Sequence, residues 1–180
     1  MAQEFGPALW VVDGGDCPVG IESTIVDCSR GRPVLLRPGV LTRAQLEAAL
    51  GEPLHAADAQ APRASGTLAS HYAPRARVRL WPAAALMQAC ADAAPPARST
   101  GTAAQQTGNA LAVYSRRSGV SQAGVVWRCM PDDPAAVAHE LFSVLRELDD
   151  TGVAEIWIEQ PREGPAWEGV LDRLNRAAAP

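Results

Sequence analysis

The chain has 180 residues, 47% of them hydrophobic, and a formal net charge of −4. That suits a soluble globular protein of one or two domains and argues against a nucleic-acid-binding surface. No apolar run is long enough to span a bilayer, and Met1-Ala2-Gln3-Glu4-Phe5 lacks the basic and apolar regions of a signal peptide.

In chain order, residues 8–12 (ALWVV) predict a strand, broken by Asp13-Gly14-Gly15-Asp16. Residues 20–39, GIESTIVDCSRGRPVLLRPG, predict a β-hairpin: a β-branched strand over 23–27, a polar Gly-containing turn, and an apolar strand over 33–37. Antiparallel pairing would bring Ser23 and Thr24 to one edge with Arg37-Pro38-Gly39. Serine and threonine hydroxyls both donate and accept hydrogen bonds, and a guanidinium binds phosphate through a planar fork. A short helix follows, with Thr42 and Gln45 as a capping box, Leu46, Ala49 and Leu50 as its apolar face, and Gly51 as its stop.

Residues 52–76 read as a linker with Pro53, Pro62, Gly66 and Pro74 and little periodicity. From residue 77 strands and helices alternate: strand 78–81, an alanine-rich helix 82–94, a polar stretch 95–109, and strands 110–114 and 125–130. The next helix has Asp133 as N-cap and Pro134 at its first position, with the stripe Val137, Leu141, Val144, Leu145 and Leu148. Gly152 stops it. Strand 155–159 comes next, then a helix opened by Gly164-Pro165 with Trp167, Val170, Leu171 and Leu174 inward. The alternation predicts a mostly parallel sheet with helices on both faces, long enough to hold its own core. The first fifty or so residues cannot bury much and would leave open sheet edges, so their fold reads as incomplete.

Taken one by one, the polar residues have plain structural readings. Ser23 can serve as a strand-end hydroxyl bonded to backbone, Arg37 as a surface ion pair, and His71 with Tyr72 as an anchor for the linker. Glu22 is a secondary candidate. Thr24 suits strand support, and Arg30 and Arg32 in the turn read as solvated. Trp81, Trp127, Trp157 and Trp167 fit core positions. Cys17, Cys28, Cys90 and Cys129 are scattered, with no C-x-x-C pair and no zinc-type spacing, as expected in a reducing cytoplasm. No glycine-rich phosphate loop is present.

Three segments carry a family resemblance: DGGDCPVGIESTIVDCSRGRPVLLRPGVLTRAQLEAALG, SGTLASHYAP and LFSVLRELDDTGVAEIWIEQPREGPAWEGVLDRLNRAA. The chain resembles the C-terminal part of two-domain threonylcarbamoyl-AMP synthases, whose catalytic domain is YrdC-like. The resemblance implies an α/β chain in three parts. Residues 1–51 would be an incomplete C-terminal piece of the YrdC-like domain, 52–76 a linker or lid, and 77–180 a Rossmann-like, mostly parallel α/β/α domain. It implies a cytoplasmic nucleotidyltransferase that combines L-threonine, bicarbonate and ATP, with Mg2+ accompanying the ATP. The products would be pyrophosphate and threonylcarbamoyl-AMP, which tRNA threonylcarbamoyl transferase machinery passes to tRNA.

By position in the family motifs, Ser23 would bind threonine or the adenylate, and Arg37, His71 and Tyr72 would bind ATP. No catalytic residue is assigned and no protein metal site is implied. The family's N-terminal half, with its threonine-binding segment, Lys-x-Arg and Ser-x-Asn, has no counterpart here. The chain is therefore expected to be a fragment, inactive alone. The rival readings are a non-catalytic interaction or regulatory α/β module and a generic small-molecule-binding α/β protein.

Overall fold

A computed structural model describes residues 6, 10, 12, 14, 15, 17, 20–66, 73–92, 111–119 and 124–179. The expected hairpin is present: β1 (Ile25–Asp27) pairs antiparallel with β2 (Val34–Arg37), placing Ile25 opposite Arg37. Its turn is built around Asp27, whose carboxylate accepts from the Ser29 hydroxyl at 2.6 Å, the Ser29 backbone N–H at 2.9 Å and Arg30 Nε at 3.0 Å. The Ser29 hydroxyl foremost, then its N–H and the Arg30 guanidinium, hold that carboxyl below its ordinary range. Arg30 and Arg32 are not simply solvated, because both pair with Asp58, at 2.8 and 3.1 Å.

That contact belongs to a larger departure from expectation. The segment read as a plain linker supplies β3 (His55–Ala56), which adds to β2 in parallel and completes a three-stranded sheet. Two residues carry no alternation to read. Their place is set by the His55 N–H to Pro33 carbonyl bond at 2.9 Å and by the buried Leu54 just before them.

Helix α1 (Arg43–Leu50) has the expected caps: Thr42 and Gln45 exchange hydrogen bonds, and Gly51 ends the helix in the left-handed region. Its expected apolar face does not become core. Ala49 and Leu50 are exposed, and no residue of the helix is buried. Polar ties hold it instead, from Arg43 to Glu168 at 3.2 Å and from the Leu54 N–H to Glu47 at 2.9 Å. Trp10 and Val12 are exposed and lie in no strand; the rest of the strand expected at 8–12 is outside the described residues.

The second sheet follows the expected alternation: β4 (Arg77–Trp81), α2 (Ala83–Asp92), β5 (Leu111–Ser115), β6 (Val125–Cys129), α3 (Pro134–Asp150), β7 (Glu155–Glu159), a 3-10 turn (Pro165–Trp167) and α4 (Glu168–Ala177). The four strands are all parallel, in the order β4-β7-β5-β6. Side chains along β5 alternate between two cores, as the two-residue period of a strand requires. Ala112 and Tyr114 pack with the stripes of α3 and α4, while Leu111 and Val113 pack with Leu86 and Cys90 of α2. Trp81 and Trp157 are half-buried on the α2 side, their ring centroids 5.0 Å apart, and Trp167 is buried on the other. No helix among the described residues is long and apolar enough to cross a membrane.

The first section finds its core by docking. Ile21 is buried in the same cluster as the α3 and α4 stripes. The approach is close enough to need glycine: a Cβ on Gly169 of α4 would fall 2.5 Å from the Gly39 carbonyl and 2.9 Å from Ile21 Cδ1. At the far end of the linker, Asp149 accepts from the Ala76 N–H at 2.8 Å and Arg75 Nε at 2.9 Å, fastening the chain to the end of α3.

A buried ion pair closes the carboxyl ends of β5 and β7. Glu159 accepts from the Ser115 hydroxyl at 2.6 Å, the Arg116 N–H at 2.9 Å and Arg116 Nε at 3.0 Å. Burial raises its carboxyl, but the Ser115 hydroxyl and Arg116 together outweigh burial and hold it below the ordinary range. Glu159→Ala leaves a nearly buried guanidinium unpaired and should cost about 3–5 kcal/mol in urea denaturation at pH 7. A carboxyl lowered by folding stabilises above its unfolded pKa of about 4.3 and loses that contribution as pH falls through its folded value. The gap between wild type and variant should therefore narrow in acid. A loss under about 1 kcal/mol at pH 7 would contradict this role.

Candidate functional site: the open end of the hairpin

The antiparallel register that sets Ile25 opposite Arg37 also carries the Arg37 side chain back over residues 22–23. Arg37 is only 5% exposed. Its Nε and Nη2 donate to the Ser23 carbonyl at 3.2 and 3.0 Å, and its Nη1 donates to Glu22 Oε2 at 3.0 Å and to the Ser65 carbonyl at 2.7 Å. One guanidinium thus joins the head of β1, the end of β2 and the linker. Gly39 lies against the Thr24 backbone, so the hydroxyl pair and the Pro-Gly turn do share this edge.

The structure brings Ser23 and Arg37 together, with a detail the residue pattern does not contain. The Ser23 carbonyl, not its hydroxyl, receives the guanidinium, which leaves the hydroxyl on an exposed residue. The Thr24 hydroxyl is buried without a hydrogen-bond partner among the described residues. His71 and Tyr72 lie outside the described residues. Their linker reaches the site through Ser65 and Gly66, which arrive directly on Arg37.

The sequence alone does not single out Arg173, and it offers Glu22 as a secondary candidate. Arg173, on α4, donates from Nη1 to the Pro38 carbonyl at 3.1 Å and to Asp172 at 2.6 Å, and its Nη2 lies 3.6 Å from Glu22 Oε2. The available signal was helical spacing, since Arg173 stands three residues after Val170 and just before Leu174, on the inward stripe. Among the described residues, no group of three or more His, Cys, Asp or Glu side chains is arranged to hold a metal ion. Glu22 pairs with two arginines, Arg37 and Arg173.

Gly66 is required where it stands. Its φ is +73°, and a Cβ there would lie 2.5 Å from Arg37 Nη1 and 2.9 Å from Glu22 Oε2. Gly66→Ala should lift the linker from Arg37 and speed trypsin cleavage after Arg63 several-fold, as followed by mass spectrometry. Unchanged cleavage would show that the linker is not seated by this contact.

Residues 41–179 match the family described as threonylcarbamoyl-AMP synthase, C-terminal domain. Over 96% of its length the chain is 30% identical to the threonylcarbamoyl-AMP synthase of Bacillus subtilis (strain 168). Over 99% it is 29% identical to that of Pyrococcus abyssi (strain GE5 / Orsay). The chain spans 49% and 52% of those proteins, about half the length of each.

Its fold is similar to the crystal structure of P. abyssi Sua5 complexed with L-threonine, with a TM-score of 0.71 and 26% identity, covering 98% of this chain and 52% of that one. A variant of P. abyssi Sua5 with an adjacent His and Tyr replaced by Ala is similar at a TM-score of 0.70 and 27% identity, covering 92% and 47%. With most of its length inside the family match, this chain belongs to the threonylcarbamoyl-AMP synthase C-terminal domain family.

Proposed function

We propose that the chain is the C-terminal part of an L-threonylcarbamoyladenylate synthase. In this reading residues 1–51 end the YrdC-like catalytic domain, 52–76 form the linker and lid, and 77–180 form the C-terminal domain. The substrates are L-threonine, bicarbonate and ATP. The threonine amine and bicarbonate give a carbamate with loss of water. A carbamate oxygen then attacks the α-phosphorus, the bond to the β-phosphate breaks, and pyrophosphate leaves as threonylcarbamoyl-AMP forms. The threonylcarbamoyl group passes on to tRNA through a transferase partner, in the cytoplasm. Mg2+ belongs to the nucleotide, riding on its phosphates.

The observation that carries this reading is the Arg37 junction, where a Glu-Ser-Thr segment, a Leu-Arg-Pro-Gly segment and the linker meet on one buried guanidinium. The likeness to the B. subtilis threonylcarbamoyl-AMP synthase, which extends over 96% of the chain, supports the reaction class. Ser23 offers an exposed hydroxyl to threonine or the adenylate. Arg37 is the cation for phosphate: a guanidinium held in place can stabilise the charge that builds on departing pyrophosphate. His71 and Tyr72 are assigned to cover the nucleotide and exclude water from the mixed anhydride. P. abyssi Sua5 has been crystallised in complex with L-threonine, and its His-Tyr variant makes the one His-Tyr pair of this chain a matching target for mutation. The rival reading, a non-catalytic interaction or regulatory module, draws on exposed Val40, Leu41 and Leu50.

The decisive assay is threonine-dependent pyrophosphate release. The 180-residue chain alone should show none, and the chain joined behind the remaining half of the B. subtilis relative should show it. In the joined protein, Arg37→Ala should cut kcat/KM for ATP about 10²-fold or more while changing threonine binding little, with only partial rescue by Arg37→Lys. Tyr72→Ala should lower turnover. No threonine-dependent release from any joined form, with the fold intact, would favour the non-catalytic module.

A further inference from the structure

The charges around Arg37 form a cluster drawn from both ends of the chain. Glu22 Oε2 lies 3.0 Å from Arg37 Nη1 and 3.6 Å from Arg173 Nη2, so a single carboxylate oxygen stands between two guanidinium groups. The two kinds of side chain are unequally enclosed. The Arg173 side chain is 0% exposed and that of Arg37 is 6%, whereas Glu22 is 31% exposed. Arg173 Nε and Nη2 are buried without a hydrogen-bond partner among the described residues. Unsatisfied donors on a buried cation are costly, and an acceptor richer in oxygens than a carboxylate would relieve them. A tetrahedral phosphate is such an acceptor, and paired guanidinium forks suit it.

We propose that Glu22, Arg37 and Arg173 form an anion-exchange site, in which Glu22 is the counter-ion shared by both arginines, Asp172 stays on Arg173 Nη1 at 2.6 Å, and a phosphate group of a polyphosphate displaces Glu22 to be held by both arginines. Arg173 thereby becomes a phosphate-binding residue contributed by the last helix. Glu22, on the open side of the cluster, is the group that swings out. The site deepens the assignment of Arg37 to ATP phosphate and rests on it. The C-terminal α/β layer then takes part directly in nucleotide binding through α4, because Arg173 also holds the Pro38 carbonyl next to Arg37.

Inorganic pyrophosphate is the probe, titrated calorimetrically into the 180-residue chain, with thermal melting to check each variant. Wild type should bind at one saturable site. Glu22→Gln keeps the shape and removes the competing charge, so it should bind roughly tenfold tighter. Arg173→Lys keeps a positive charge but loses the fork, so it should bind several-fold weaker. If Arg173→Lys does not fold, the Glu22→Gln comparison decides alone. Equal or weaker binding in Glu22→Gln, or no saturable binding in either wild type or Glu22→Gln, would overturn the exchange site.

The pyrophosphate-release assay on the joined protein reports separately on the enzyme reading. Activity without a Glu22→Gln effect sinks only the exchange site. The expected binding pattern without activity sinks only the synthase.

Discussion

Arg37 and Arg173 close on Glu22 and on the backbone carbonyls of Ser23, Pro38 and Ser65. The contact from Arg173 to Pro38 spans 135 positions of chain. Much of the remaining arrangement depends on this junction. The hairpin has too few residues to hold an independent core, and it becomes ordered by laying Ile21 into the α3–α4 cluster and Gly39 against Gly169. Apolar contact supplies the attraction, and the arginines set the orientation. Removing one partner from such a cluster strands a buried charge, so its members depend on one another.

Local signals were legible because their causes lie within a few residues. The Thr42–Gln45 capping box and the Asp133 N-cap with Pro134 satisfy groups on their own helices, and the stripe from Val137 to Leu148 repeats at helical spacing. The parallel direction of the strands follows from their helical connections in the same way. What stayed hidden was decided by distant partners. The two residues of β3 have no pattern of their own, and Leu46, Ala49 and Leu50 look like a core face although no core lies against them. Arg173 reads as an ordinary charged helix residue until its stripe is seen to face the hairpin.

At the site itself, proximity of Ser23 and Arg37 followed from the hairpin, while the atom used did not. A side-chain hydroxyl draws the eye in a sequence, whereas the accepting carbonyl is invisible there. The same holds for Ser65, whose carbonyl, not its hydroxyl, fastens the linker. Gly66 was readable as a flexible point. Its actual demand is for space, since Arg37 fills the place of a side chain.

The central claim is that the hairpin and the parallel α/β layer are one cooperative body. Native-state hydrogen exchange at increasing denaturant tests it most directly. The account predicts that slowly exchanging amides within 25–27 and 34–37 open with the same free energy and denaturant dependence as those of β5 and β7. Hairpin amides that exchange fast and independently of denaturant, while β5 and β7 stay protected, would contradict it.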